Sequence, residues 1–151
     1  MQFYVADAFT RRPFSGNQAG VVFLGDAPFP QEALMRALAG ELKHSETAFV
    51  RRTGEGFHIR YFTPAEEVDL CGHATVAAFT VLRETGEITA GRYMLRTRSG
   101  ILEVAAEPTP CGWTWPRLRR EEAFRRRNRR SCMRPMGCPR TTVRRAWSPR
   151  R

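Results

Sequence analysis

The sequence predicts an α/β (α+β) fold, with a mixed set of strands and two helices, one of them enclosed within the sheet layer. Three observations predict it. Short alternating or β-branched runs recur through the first 108 residues. The window "PQEALMRALAGELK" repeats leucine at helical spacing. A second window, Gly72 to Thr85, is apolar at positions 74, 76, 77, 78, 79, 81 and 82. A helix apolar on nearly every side is a buried helix, because no polar stripe is left to face water.

The elements follow in order. "QFYVADAF" alternates and reads as a strand, with Phe3, Val5 and Phe9 expected on one side. "RRPFSGNQAG" gathers Pro, Ser, Gly and Asn into a loop. "GVVFL" is continuously apolar and β-branched, as a strand covered on both faces must be. The first helix opens on Pro with acids in its first turn and closes on a lysine, with Leu34, Leu38 and Leu42 as its expected inner stripe. "ETAFV" is a short strand, and "GFHIRYF" sets Phe57, Ile59 and Tyr61 against His58 and Arg60. The buried helix follows, with Gly86 as its stop. Each large side chain it buries, such as Val76, Phe79, Val81 or Leu82, contributes roughly 1.5–3 kcal/mol. "RYMLRTRSGILEVAA" completes the series as a hairpin hinged at Ser99-Gly100.

Charge divides the chain in two. The formal net charge is +10, which invites a nucleic-acid reading. Residues 1–108, however, carry 11 Lys+Arg against 13 Asp+Glu, and residues 109–151 carry 14 Arg, no Lys and 2 Glu. The basic character belongs to residues 109–151 alone. That stretch also holds Trp113, Trp115 and Trp147 and the cysteines Cys111, Cys132 and Cys138, with no sustained period of 2 or 3.6. It is expected to be irregular, either disordered or the product of GC-rich coding sequence read out of frame. Cys71 stands alone in the first 108 residues, which argues against a disulfide framework there. The N-terminus shows no basic, apolar leader pattern and no run approaches the ~20 apolar residues of a membrane span. The expected setting is cytoplasmic. No G-x-G-x-x-G or G-x-x-x-x-G-K is present, so no nucleotide or flavin cofactor is expected. Cys111, Cys132 and Cys138 are spaced by 21 and 6 with no histidine nearby, so no metal is expected either.

Two stretches carry chemistry. Cys71-Gly72-His73 opens the buried helix. A helix N-terminus presents free N–H groups to an anion, and Gly allows a ligand close to the backbone. A histidine in that turn can donate to the same ligand or move a proton near neutral pH. Gly72 and His73 therefore suit a substrate carboxylate; the plain alternative is a cap and a satisfied surface histidine. Cys71 reads as a small buried hydrophobe. In "HSETAFV", Glu46 enters an apolar strand, where desolvation disfavours its charged form and suits it to acid/base work. Its plain alternative is an exposed glutamate at a strand start.

Taken together, "DAFTRRPFSGNQAGVV", "HSETAFV" and "RYFTPAEEVDLCGHATVAA" resemble the PhzF-like (phenazine biosynthesis) isomerase family, of the diaminopimelate-epimerase-like fold, over residues 1 to about 108. The resemblance implies one of two similar halves, a curved mixed sheet wrapped around a central helix. It implies cofactor-independent proton transfer on a small carboxylate-bearing substrate, with Glu46 as the catalytic acid/base and Gly72, His73, Asn17 and Ser45 as substrate-binding residues. Family members run to nearly twice this length, and nothing in 109–151 resembles their second half. The chain is therefore expected to carry half an active site. Two other readings stand beside this one. The arginine tail with its tryptophans is that of a nucleic-acid-binding protein. Alternatively, the first 108 residues are a non-catalytic half-domain that forms a homodimer through a sticky unmatched face.

Overall fold

The computed structural model describes residues 1–10, 12, 14–106, 119–120 and 142–147. Nine strands form one mixed sheet. They are β1 (Gln2–Ala8), β2 (Asn17–Phe23), β3 (Thr47–Thr53), β4 (Gly56–Phe62), β5 (Glu67–Val68), β6 (Gly91–Thr97), β7 (Gly100–Ala106), β8 (Arg119–Arg120) and β9 (Thr142–Trp147). Their order is β8-β7-β6-β4-β3-β2-β1-β9, with β5 paired to β4. Two neighbouring pairs are parallel, β2 with β3 and β4 with β6. A parallel pair needs a crossover, and each is supplied by a helix: α1 (Glu32–Leu42) between β2 and β3, and α2 (Gly72–Glu84) between β4 and β6.

The helices take opposite faces of the sheet. On one face α2 buries Ala74, Thr75, Ala77, Ala78, Phe79, Thr80, Val81 and Leu82. Its cluster gathers Tyr4, Val21, Val50, Ile59, Leu95 and Leu102, so it draws on six strands. Six flat strands would span roughly 24 Å, while a helix with its side chains is only about 10 Å across. The sheet must therefore curl round α2. Phe79 reaches across to Phe57 of β4 at 5.8 Å and Tyr93 of β6 at 6.3 Å between ring centroids. On the other face Met35 and Ala39 of α1 meet Val22, Phe49 and Phe62.

The buried helix ends as expected. Gly86 has φ +77°, and its N–H donates to the Arg83 carbonyl while that of Glu87 donates to Leu82, a Schellman closure. The inner face of β4 is also as expected, with Phe57, Ile59 and Tyr61 in the core.

On β1, Tyr4 and Ala6 face α2, and Phe3 packs on the opposite cluster. Both faces of β1 are covered, so alternation there does not separate inside from outside. On α1 the inner residues are Met35 and Ala39, flanked by Leu38 and Leu42, while Leu34 is 50% exposed. Val76 is half-buried. The β6–β7 turn pairs Thr97 with Gly100, which makes Arg98 and Ser99 the loop.

Within the stretch expected to be irregular, the backbone at 142–147 pairs antiparallel with β1 and that at 119–120 with β7. Cys111, Cys132 and Cys138, together with Trp113 and Trp115, lie outside the described residues. Among the described residues no helix is long and apolar enough to cross a membrane.

Candidate active site

The mouth of α2 is fixed by a buried hydrogen-bond chain. The Thr75 hydroxyl donates to the Cys71 carbonyl at 2.7 Å, and the Thr75 N–H donates to the same oxygen at 3.0 Å. With its proton committed, the Thr75 hydroxyl accepts from the Tyr61 hydroxyl at 2.6 Å. Burial holds the Tyr61 phenol well above the usual tyrosine range, so it stays a donor. Strand β4 thus pins the first turn of α2 in place.

At this mouth His73 lies between two partners. Its Nε2 is 3.1 Å from Glu46 Oε2, and its Nδ1 is 3.3 Å from Cys71 Sγ. Glu46 sits immediately before β3, and its carbonyl accepts the Gly20 N–H of β2. Its carboxylate therefore hangs from the interior of the sheet. The His73 and Glu46 side chains are only 14% and 23% exposed. Although close, Nε2 and Oε2 are not aligned as a hydrogen bond, and both atoms are buried without another partner among the described residues. That geometry leaves each with capacity for a third group.

Cys71 is buried, and burial pushes its thiol above the usual range; the Glu46 charge acts the same way. The N–H groups of Ala74 and His73 work in the opposite direction. The balance favours the protonated thiol, which can donate to His73 Nδ1 in the tautomer that carries its proton on Nε2. Cys71 packs in the core as the sequence predicts, and it also touches His73. Its position directly before Gly72-His73 was the available signal. One donor atom from each of Glu46, Cys71 and His73 lies within 4.8 Å of the others, so the three could also hold a metal ion.

Gly72 is exposed, and a Cβ built on it would meet no atom within 4 Å. The space over the helix N-terminus is open. Ser45 and Asn17 are both exposed, and neither hydrogen-bonds to Glu46 or His73. Gly16 has a structural reason: a Cβ there would sit 2.3 Å from the Ala8 carbonyl oxygen. The structure thus brings Glu46, Gly72 and His73 to one place, adds Cys71, and leaves Ser45 and Asn17 outside the bonded group.

The family model described as phenazine biosynthesis-like protein, PhzC-PhzF, matches residues 6–133. The chain belongs to the PhzC-PhzF family. An uncharacterized isomerase of Pseudomonas aeruginosa is 50% identical over 107 residues, covering 71% of this chain and 40% of that protein. The crystal structure of a PhzF-family phenazine biosynthesis protein from Enterococcus faecalis matches with a TM-score of 0.65 at 38% identity, over 71% of this chain and 41% of that one. A hydroxyproline epimerase from Agrobacterium vitis shares the fold at a TM-score of 0.55 and 16% identity, over 73% of this chain and 38% of that one. The epimerase-like fold and membership of an isomerase family follow. The chain spans 40% of the length of the Pseudomonas relative, and the family match runs past residue 108.

Proposed function

We propose that the chain carries one wall of a cofactor-independent isomerase site, which moves a proton on a small carboxylate-bearing substrate. The observation that supports this reading is the pair Glu46 Oε2 and His73 Nε2, buried, 3.1 Å apart and without aligned partners, beside the open N-terminus of α2.

In this reading the substrate carboxylate lies over Gly72, where free N–H groups and the positive helix end receive it. Glu46, as its carboxylate, takes the proton from the adjacent carbon, and the electron pair left behind delocalises toward the substrate carboxylate. Negative charge grows there, where the helix end and His73 Nε2–H stabilise it. Glu46, now protonated, returns the proton to a different carbon or face, and no net redox change occurs. Cys71 donates to Nδ1 and so keeps the His73 proton on Nε2, facing the substrate. Ser45 and Asn17, which the family resemblance assigns to the substrate, would contact only the outer part of a ligand.

Proton transfer of this kind depends on excluding water and on positioning from both sides. The second wall is proposed to lie in the family's remaining length, so this chain alone is expected to turn over weakly or not at all. The experiment is proton–deuterium exchange at the carbon next to the carboxylate, in D₂O, with a panel of small unsaturated amino and hydroxy acids. The chain is assayed alone and as a fusion to the second half of a full-length relative. Exchange by the fusion that is lost in Glu46→Gln supports the reading. Exchange unaffected by Glu46→Gln removes Glu46 from its role.

A further inference from the structure

A second cluster lies on the opposite face of the sheet. Arg51 of β3, His58 of β4 and Arg96 of β6 are cross-strand neighbours, since Arg51 pairs with His58 and His58 pairs with Arg96. Ala48 and Val50 of β3 face α2, so Arg51 points to the α1 side, as Phe49 does. Glu46 meets α2 on the other side, five residues earlier, a separation along the strand of roughly 16 Å. The two places are distinct.

Like charges on adjacent strands repel, so such a row is costly unless an anion neutralises it. Other described arginines on or beside this sheet are neutralised internally. Arg52 pairs with Glu87, Arg60 with Glu67 and Glu32, Arg92 with Glu103, and Arg98 with Glu67 and Asp69. Among the described residues Arg51 and Arg96 have no carboxylate partner. Arg51 Nε is buried without a hydrogen-bond acceptor among the described residues. These residues line a cavity of about 370 Å³, with Met94 and Ile101 as apolar wall and Glu55 in the lining as its acidic group. Phe29 meets the His58 ring edge-on at 4.9 Å and holds it in place. Burial holds His58 below the usual histidine range, and Arg96, Arg60 and Arg51 act the same way, with Glu67 opposing. A neutral His58 offers one more N–H without adding to the repulsion.

We infer that the Arg51–His58–Arg96 row is a binding site for a small organic oxyanion, a carboxylate or a phosphate ester, separate from the Glu46–His73 centre. Two guanidinium groups and a ring N–H supply the donors, and the cavity accommodates a body larger than the bare anionic group. A bound anion would favour the imidazolium and raise the His58 pKa, which gives a local reporter even beside an arginine-rich tail.

The test is an NMR titration of the His58 ring in the full chain. It is run with inorganic phosphate and with acetate, each against chloride at matched ionic strength. The expected result is a saturable upward shift of the His58 pKa, with the tighter of the two probes identifying the anion class. Arg51→Gln and Arg96→Gln should each weaken the apparent affinity about tenfold, the effect of losing one charge-assisted contact. Arg52→Gln, on the same strand but paired with Glu87, should leave it unchanged. Arg96 is exposed, so its variant keeps the fold even if the Arg51 variant does not. A shift no larger than chloride gives, or one that survives Arg96→Gln intact, overturns the site.

Discussion

His73 Nε2 lies 3.1 Å from Glu46 Oε2, although one residue opens a helix and the other precedes a strand three elements earlier. The contact exists because β3 and α2 are held against the same region of the curled sheet. If Glu46 is the proton carrier, Glu46→Gln keeps shape and polarity but removes the base. Exchange in the completed two-wall protein should fall roughly 100- to 10,000-fold, the usual weight of general acid–base catalysis. The deuterium-exchange rate measures it, with unchanged circular dichroism as the control for folding.

Cys71 provides a sharper test of the same chain of groups. Serine keeps a donor toward His73 Nδ1, and alanine removes it. The ¹⁵N shifts of His73 should report the Nε2–H tautomer in wild type and Cys71→Ser, and a mixture in Cys71→Ala. An identical tautomer in all three would sink the assignment. Burial also predicts slow alkylation of Cys71 at pH 8, with reaction setting in only above the ordinary thiol range, as peptide mapping would show. The sign for stability follows. The folded thiol holds its proton more tightly than the unfolded one, so stability falls as pH rises past the unfolded value toward the raised one.

Gly72 separates folding from binding. The space beside it is open, so Gly72→Ala should leave stability unchanged or raise it by up to about 1 kcal/mol, through helix propensity and a stiffer unfolded chain. The added methyl group would stand where a ligand approaches the helix end. Substrate binding should weaken roughly tenfold, about 1.4 kcal/mol. Thermal melting and the substrate dependence of exchange read the two effects independently.

Glu67 holds the loop that leads into α2. It accepts two bonds from Arg60, at 2.7 and 2.6 Å, and one from Arg98 at 3.2 Å, with its side chain only 4% exposed. The Arg60 hydrogen bond, which outweighs burial, sets its carboxyl below the usual carboxylate range. Its contribution is therefore present above the unfolded value near pH 4 and is lost as pH falls through the lowered one. Glu67→Gln should cost about 1–2 kcal/mol at neutral pH, a figure kept modest because Arg98 is largely exposed. The gap to wild type should narrow in acid, as denaturant midpoints at pH 7 and pH 3 would show.

Much of this was legible in the residues. The all-round apolar helix, its glycine stop and the alternating β4 need only periodicity, and they stand as expected. The convergence of Glu46 and His73 depended on the motifs taken together, since nothing local joins them. Cys71 packs in the core as expected, and its contact with His73 could not be read because a cysteine that only packs and one that also touches a histidine look alike in sequence. Which side of β1 faces α2 was not legible because both of its faces are covered, which removes the polar half of the alternation. The row Arg51–His58–Arg96 was invisible because its members come from three strands whose register only the fold sets.

The pairing of β1 with β9 joins Phe3 to Trp147. During synthesis the ribosome releases one partner near the start of the chain and the other more than a hundred residues later. Until then the outer edge of β1 has only water to bond, and closing so long a loop is slow. The nascent chain therefore passes through a stage with an open strand edge, the time at which it most needs a chaperone.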